Sequence, residues 1–141
     1  MKKSEIFETI KNTLEDTLGV DEEVEVTLKS KLIDDLGAES IDLLDIMSRM
    51  ERRFDVEMEK GEDIDEAIRN MTSEEELETG ELPSEVLEAL PALMPEIDPA
   101  EFKPGLRMGD LPRLFSVDSL IYSLQKALKE QKGIEIEDDM S

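Results

Sequence analysis

The stretch that decides the fold is DDLGAESIDLLDIMSRMERRF, residues 34–54, in which a turn precedes an amphipathic helix. Gly37 suits a turn that requires an unusual backbone angle, and Ser40 stands where the helix should begin. Apolar residues then recur at three- or four-residue spacing, at Ile41, Leu44, Met47 and Met50, and the stripe is widened by Leu43, Ile46 and Phe54. This spacing predicts a helix with one buried face.

The charges of this segment agree with the helix macrodipole. Asp42 and Asp45 fall in the first two turns, and Arg49, Arg52 and Arg53 fall in the last ones. Acidic groups are favourable near a helix N-terminus and basic groups near its C-terminus. Charge order and apolar spacing therefore predict the same helix.

Ser40 has a purely structural interpretation. As the N-cap of the helix, its hydroxyl would accept a hydrogen bond from a backbone N–H and would take part in no chemistry. Position and residue type alone favour this interpretation.

The surrounding sequence gives Ser40 a second interpretation. LGAES, followed by IDLLDIMSRMERRF, closely resembles the motif of the acyl carrier protein family, in which LGADSL precedes the second helix. The resemblance extends upstream through LGV at 18–20 and SKLIDDLGAES at 30–40, and downstream to FDVEM at 54–58. It departs at Glu39, where the family usually has aspartate, and at Ile41, where it has leucine. Both changes preserve charge or bulk.

The resemblance implies that Ser40 carries 4′-phosphopantetheine, whose thiol would hold an acyl chain as a thioester. A phosphodiester in the first turn of a helix meets unpaired backbone N–H groups and the positive end of the dipole, so no basic pocket is needed. Such a protein is a carrier on which phosphopantetheinyl transferase, ketosynthase and acyltransferase enzymes act. It is not itself an enzyme.

The fold that follows from the resemblance is all-α, a four-helix acyl-carrier-type bundle. Apolar spacing and capping residues predict the other three helices at residues 4–18, from about Asp63 to Met71, and at 117–131. The proposed caps are Ser4 and Gly19 for the first helix, and Ser116 and Gly133 for the last. Residues 20–39 are expected to form an ordered loop.

An inserted segment, residues 72–112, separates the third helix from the last. Its acid-rich start, 72–82, is predicted to be a flexible linker, whereas 83–112 is predicted to be partly helical. The insertion either provides a lid or partner surface near the acyl chain or only stabilises the last helix. Residues 1–132 are thus predicted to form one domain including the insertion, followed by a frayed acidic tail, 133–141.

Composition excludes several classes of function. The chain has 141 residues, and 38 acidic against 16 basic residues give a net charge of −22. This charge repels nucleic acid at long range. The absence of Cys and His removes the usual nucleophile, general base and metal ligands, and the run GEDIDEAI lacks the spacing of a calcium loop. With no long apolar run, we expect a cytoplasmic monomer without membrane insertion.

The resemblance also assigns the residues around Ser40. Partner recognition is expected from Glu39, Ile41, Asp42, Asp45, Arg49 and Arg52, and the acyl pocket from Ile46, Met47, Met50 and Met58. The basic end of the helix and the insertion favour a specialised fatty-acid or lipid pathway, of which lipid A or lipopolysaccharide acylation is one example. The alternatives are a freestanding carrier for polyketide or aminoacyl intermediates and an unmodified helical binding protein.

Overall fold

The structure, a computed structural model, describes residues 1–21, 23–59 and 61–140. Glu22 of the predicted loop and Ser141 of the predicted tail lie outside the described residues. The described chain contains α1 (Lys3–Leu18), α2 (Ser40–Phe54), α3 (Glu62–Met71), α4 (Glu74–Thr79), α5 (Ser84–Leu93) and α6 (Val117–Lys132), with 3-10 helices at Pro99–Glu101 and Met108–Leu114. The predicted all-α fold is confirmed.

The chain forms two compact units. The first consists of Met1–Lys60 together with Ser116–Ser141, and the second consists of Gly61–Phe115. In the first unit α1, α2 and α6 pack against one another. Its largest fully buried side chains come from these three helices and, at Leu32, from the loop before α2: Ile6, Ile10, Leu14, Leu32, Ile46, Met50, Ile121, Leu124 and Leu128.

Three of the predicted helix caps are confirmed in the first unit. Gly19 and Gly133 follow α1 and α6 in the left-handed conformation, with φ of 62° and 64°. Ser116 precedes α6, and its hydroxyl accepts the N–H of Ser119 at 3.3 Å. Each of these residues caps a helix end through its own turn of backbone. Helix ends of this kind can therefore be predicted from the local sequence.

The predicted N-cap at Ser4 is wrong, because α1 begins at Lys3 and Ser4 lies inside it. Ser4 instead donates its N–H and its hydroxyl to the carboxylate of Asp139, at 2.9 and 2.5 Å. The cap of this helix is therefore supplied by a residue from the other end of the chain.

The described part of the acidic tail was predicted to be frayed, but it contacts the start of α1. The N–H of Lys3 donates to the carbonyl of Glu137, and the N–H of Glu137 donates to the carbonyl of Met1, both at 2.8 Å. Lys3 also contacts Asp138 at 3.9 Å. Backbone pairing and capping together hold the tail along the start of α1.

The second unit has its own hydrophobic core. Ile68 of α3 is fully buried in this core, although the sequence grouped the third helix with the carrier bundle. Its buried partners come from α5 and from the segments on either side of it: Leu82, Val86, Leu90, Met94, Ile97, Phe102, Leu111 and Leu114. Apolar spacing correctly predicted α3 but could not identify the surface that covers it.

The acid-rich segment 72–82, predicted to be a linker, contains α4. The hydroxyl of Ser73 accepts the N–H of Glu76 at 3.2 Å and caps this helix. Arg69 of α3 contacts the carboxylates of Asp65 and Glu74. Acidic residues in a first turn complement the dipole, so Ser73 and its acidic neighbours support a short helix.

Two prolines of the second unit, Pro91 and Pro99, lie in helical turns. Pro91 lies inside α5, which nevertheless continues to Leu93. The missing N–H falls in the last turn, where little of the helix remains to be disturbed. Asp98 caps the 3-10 helix Pro99–Glu101, and its side chain accepts the N–H of Ala100 at 3.0 Å.

Candidate functional site

The turn before α2 fixes the position of Ser40. Gly37 has φ of 75°, which favours glycine, and its N–H donates to the carbonyl of Ile33 at 3.0 Å. The next N–H, from Ala38, donates to the carbonyl of Leu32 at 2.9 Å. Leu32 and Ala38 are both buried, so the turn is anchored to the core of the first unit.

The N-cap of α2 is Glu39, not Ser40. The N–H of Glu39 donates to Asp42 Oδ2 at 2.9 Å, which closes the first turn from the other side. Ser40 is the first helical residue and is exposed. Within the described parts of the chain its hydroxyl makes no hydrogen bond. The structural interpretation of Ser40 as a cap is therefore wrong, and its hydroxyl is available.

The loop before the turn is attached to the start of α6. The N–H of Val117 donates to the carbonyl of Ser30 at 3.0 Å, and the N–H of Asp118 donates to the carbonyl of Leu28 at 2.9 Å. Val26, Leu32 and Leu36 are buried, whereas Val24 is exposed. Backbone pairing and burial together tie residues 26–36 of the predicted loop to the core of the first unit.

The buried face of α2 differs from the predicted one. Ile41 and Leu44 belong to the apolar stripe that was predicted to be buried, but 71% and 53% of their surfaces are exposed. Ile46 and Met50, four residues apart, are the buried members of the helix. The apolar stripe is wider than the contact with α1 and α6, so its edge nearest Ser40 faces solvent.

The residues expected to recognise partners lie along the outside of this helix. Glu39, Ile41, Asp45, Arg49 and Arg52 are exposed. Asp42 is half-buried because it closes the first turn. Asp45 and Arg49 form an i,i+4 ion pair at 3.4 Å. Acidic and apolar groups therefore surround Ser40, whereas basic groups occupy the far end of α2.

The four residues expected to line an acyl pocket lie in or beside the core of the first unit. Ile46, Met50 and Met58 are buried, and Met47 is half-buried. Methionine is unbranched and flexible, so a core with three methionines can rearrange more easily than one of branched side chains.

Met58 lies in a segment, residues 55–59, that α6 holds in place. The side chain of Gln131 accepts the N–H of Glu57 at 2.9 Å and donates to its carbonyl at 2.6 Å. Lys126 contacts the carboxylate of Glu59 at 3.3 Å, and Lys132 contacts Asp55 at 3.1 Å. These contacts hold residues 55–59 along α6, with Val56 and Met58 directed into the core.

One surface feature was not predicted from the sequence. A groove of about 500 Å³ lies between α1 and α2, and it is lined by Thr9, Asn12, Thr13, Asp16, Arg49, Met50, Arg52 and Arg53. Arg52 also borders a second groove of about 540 Å³, toward Gln131. The sequence named Arg49 and Arg52 but gave no indication that α1 completes a groove with them.

Two other features are absent from the described residues: a cluster of metal-binding side chains and a membrane-spanning helix. No group of three or more His, Cys, Asp or Glu side chains there is arranged to hold a metal ion. None of the described helices is long and apolar enough to cross a membrane.

Comparison with known proteins identifies the family. Residues 8–65 match the family described as "Phosphopantetheine attachment site". The chain is 42% identical over 79 residues to the acyl carrier protein of Petrotoga mobilis, covering 52% of this chain and 91% of the relative. This chain belongs to the acyl carrier protein family. It is also 46% identical over 57 residues to the acyl carrier protein of Thermotoga maritima, covering 40% of this chain and 69% of that one. No solved structure matched the chain significantly.

Membership of the family defines the general chemistry. Acyl carrier proteins are non-catalytic, and the prosthetic group is 4′-phosphopantetheine, whose thiol carries acyl groups as thioesters. The site around Ser40 fits this group: the hydroxyl is exposed and makes no hydrogen bond within the described chain, and the first turn of α2 offers N–H groups to a phosphate. Most of the second unit lies beyond the matched residues.

Proposed function

We propose that Ser40 is the attachment point of 4′-phosphopantetheine and that the protein shuttles acyl chains within a specialised fatty-acid or lipid pathway. Acylation of lipid A or lipopolysaccharide is one pathway of this kind. The partners would be a phosphopantetheinyl transferase, a ketosynthase and an acyltransferase.

The environment of Ser40 is the observation that supports attachment of the prosthetic group at this residue. Glu39 occupies the N-cap position of α2, and its N–H donates to the side chain of Asp42, which closes the first turn without any contribution from Ser40. A serine released from capping keeps its oxygen free for a transferase. Ser40 is also the serine of the LGAES motif, which resembles the attachment motif of the family.

The proposed cargo site is the core beside α2. Burial of each methylene of an acyl chain is worth about 0.8 kcal/mol, so even a short chain gains by entering an apolar interior. Ile46, Met47, Met50 and Met58 would move apart to admit it. The flexible methionine side chains support this assignment, because they can repack around chains of different length.

Two features support a specialised pathway over a general one. The far end of α2 is basic, whereas the part near Ser40 is acidic. A partner surface must therefore carry acidic groups opposite the first and basic groups opposite the second. The second unit also adds a separately packed hydrophobic core beyond the matched family region. Both features would restrict the enzymes that accept this carrier.

Attachment can be tested by incubating the protein with coenzyme A and a promiscuous phosphopantetheinyl transferase, followed by intact-mass measurement. Wild type and Ser48→Ala should each gain one arm, whereas Ser40→Ala should gain none. Ser48 is a suitable control because it lies on the same helix. An arm on Ser40→Ala, or none on wild type, would defeat the proposal.

The pathway requires a separate measurement. The intact mass of protein purified from its own cells, before and after thioester cleavage with hydroxylamine, gives the mass of the bound acyl group. A fatty-acyl or hydroxy-fatty-acyl group supports a lipid pathway. A polyketide or aminoacyl group instead assigns the carrier to the alternative chemistry.

A further inference from the structure

The strongest feature outside the Ser40 site is the groove between α1 and α2. Three arginines border it, Arg49, Arg52 and Arg53, in a chain whose net charge is −22. Arg49 is paired with Asp45. Arg52 and Arg53 are exposed and form no ion pair with any described residue, although the chain has 38 acidic residues. On α6, by contrast, Lys126 and Lys132 each contact a carboxylate.

The helix macrodipole explains only part of this arrangement. Arg52 and Arg53 lie in the last turn of α2 and complement its negative end. That role requires basic side chains near the helix end, but it does not require a groove. Here α1 supplies a second wall, and the buried side chain of Met50 forms part of the lining.

The lining offers donors for a negatively charged ligand. The hydroxyls of Thr9 and Thr13 already donate to the preceding turn of α1, at 3.1 and 2.9 Å. The remaining donors are the Asn12 amide and the guanidinium groups, which bind carboxylates in a planar, two-pronged geometry. Asp16 lies in the same groove and carries the opposite charge, so the basic character is concentrated at the α2 wall.

We propose that this groove docks a carboxylate-bearing segment of a partner protein. The inference rests on the proposed function, because the partner would be an enzyme that acts on the carrier. Arg52 follows Ser40 by twelve positions along α2, which corresponds to about 18 Å at 1.5 Å per residue. A partner would therefore present basic groups to the acidic Ser40 end and acidic groups about 18 Å further along the helix.

The overall charge favours a short protein segment over a polyanion. Nucleic acid or an anionic membrane would experience the repulsion of the whole chain. At physiological ionic strength the Debye length is about 8 Å, so a segment with a few carboxylates responds mainly to the groove. Opposite charges at the two ends of α2 would fix the direction in which a partner lies on the helix.

The test uses the full chain and two synthetic probes, a short glutamate-rich peptide and the matching glutamine-rich peptide, at physiological ionic strength. NMR titration should shift the amide signals of Thr9, Asn12, Thr13 and Arg52 with the first peptide and not with the second. Arg52→Gln/Arg53→Gln should weaken binding about tenfold. Lys129→Gln, an exposed charge change on α6, should leave binding unchanged.

Three outcomes would overturn the proposal: no shifts at the groove, equal binding of the double variant, or equal shifts with inorganic phosphate, which would indicate a general anion site. The result is independent of attachment at Ser40. Ser40→Ala, which should not accept the arm in the mass assay, should still bind the peptide. Failure of docking and failure of the proposed attachment site are thereby distinguished.

Discussion

The side chain of Gln131 hydrogen-bonds both backbone polar groups of Glu57: its Oε1 accepts the Glu57 N–H at 2.9 Å, and its Nε2 donates to the Glu57 carbonyl at 2.6 Å. One side chain of α6 thus replaces a strand partner for the segment that carries Met58. Backbone groups require hydrogen bonds, and a side-chain amide has one donor and one acceptor side to offer them.

Loss of the two Gln131 hydrogen bonds should destabilise the segment 55–59. We expect Gln131→Ala to reduce the free energy of unfolding by about 1–2 kcal/mol, because two exposed hydrogen bonds are exchanged for bonds to water. Gln125→Ala, on the same helix, should be nearly neutral, because the Gln125 side chain is exposed and forms no hydrogen bond with any described residue. Urea denaturation of both variants provides the comparison. Equal stability of the two variants would show that the Gln131 hydrogen bonds do not contribute to the free energy of unfolding.

The two exposed apolar residues near Ser40 should matter for partners and not for stability. Ile41→Ala and Leu44→Ala should change the unfolding free energy by less than about 0.5 kcal/mol, whereas Ile46→Ala should cost about 2–5 kcal/mol. The first two variants should also be poorer substrates for the transferase, measured as kcat/KM. A large loss of stability at Ile41 would place that side chain in the core and contradict its exposure.

The assignment of α3 to the second core can be tested at Ile68. We expect Ile68→Ala to cost about 2–5 kcal/mol and to reduce the hydrogen-exchange protection of α5 amides. Amides of α1 and α6 should keep their protection. Ile10→Ala, a buried substitution in the first unit, should have the opposite pattern. If Ile68→Ala instead reduces the protection of α1 and α6 amides and leaves that of α5 amides unchanged, the third helix belongs with the first core.

The contact between the tail and α1 should depend on pH. The hydroxyl and N–H of Ser4 donate to Asp139 and lower the pKa of its carboxyl below the usual value. Because the folded pKa is the lower one, the contact is fully present above the usual aspartate pKa of about 3.9 and is lost as pH falls through the folded value. The Ser4 amide shift, followed by NMR, should report this loss.

Two variants complete the pH test. Asp139→Ala should remove the titration of the Ser4 signal, whereas Glu137→Ala should retain it, because Glu137 pairs with the N-terminus through its backbone. A Ser4 signal that titrates identically in Asp139→Ala would contradict the assignment.

Local signals in the sequence predicted the helices well. Gly19, Ser116 and Gly133 act on their own turns, so each could be recognised without knowing the fold. The cap of α1 could not be predicted, because Asp139 lies 135 positions from Ser4. Similarly, Ser73 was a recognisable cap, but the acidic run after it was taken as a sign of a linker.

Packing partners were harder to predict than helices. The apolar stripe of α2 includes both Ile41 and Ile46, and only the arrangement of α1 and α6 determines which of them is buried. The same limit applies to Ile68, whose spacing predicted a helix without indicating the core that would receive it. At the site, the motif singled out Ser40, whereas the groove beside Arg52 depends on two helices separated in sequence.

The central claim, that Ser40 carries the arm, is tested most directly by tandem mass spectrometry of the modified protein after trypsin digestion. Cleavage after Lys31 and Arg49 gives one peptide, residues 32–49, that contains both Ser40 and Ser48. We expect fragments that include Ser40 to carry the added mass and fragments that begin after it to lack it. Added mass on fragments that contain Ser48 alone, or on a different peptide, would contradict the account.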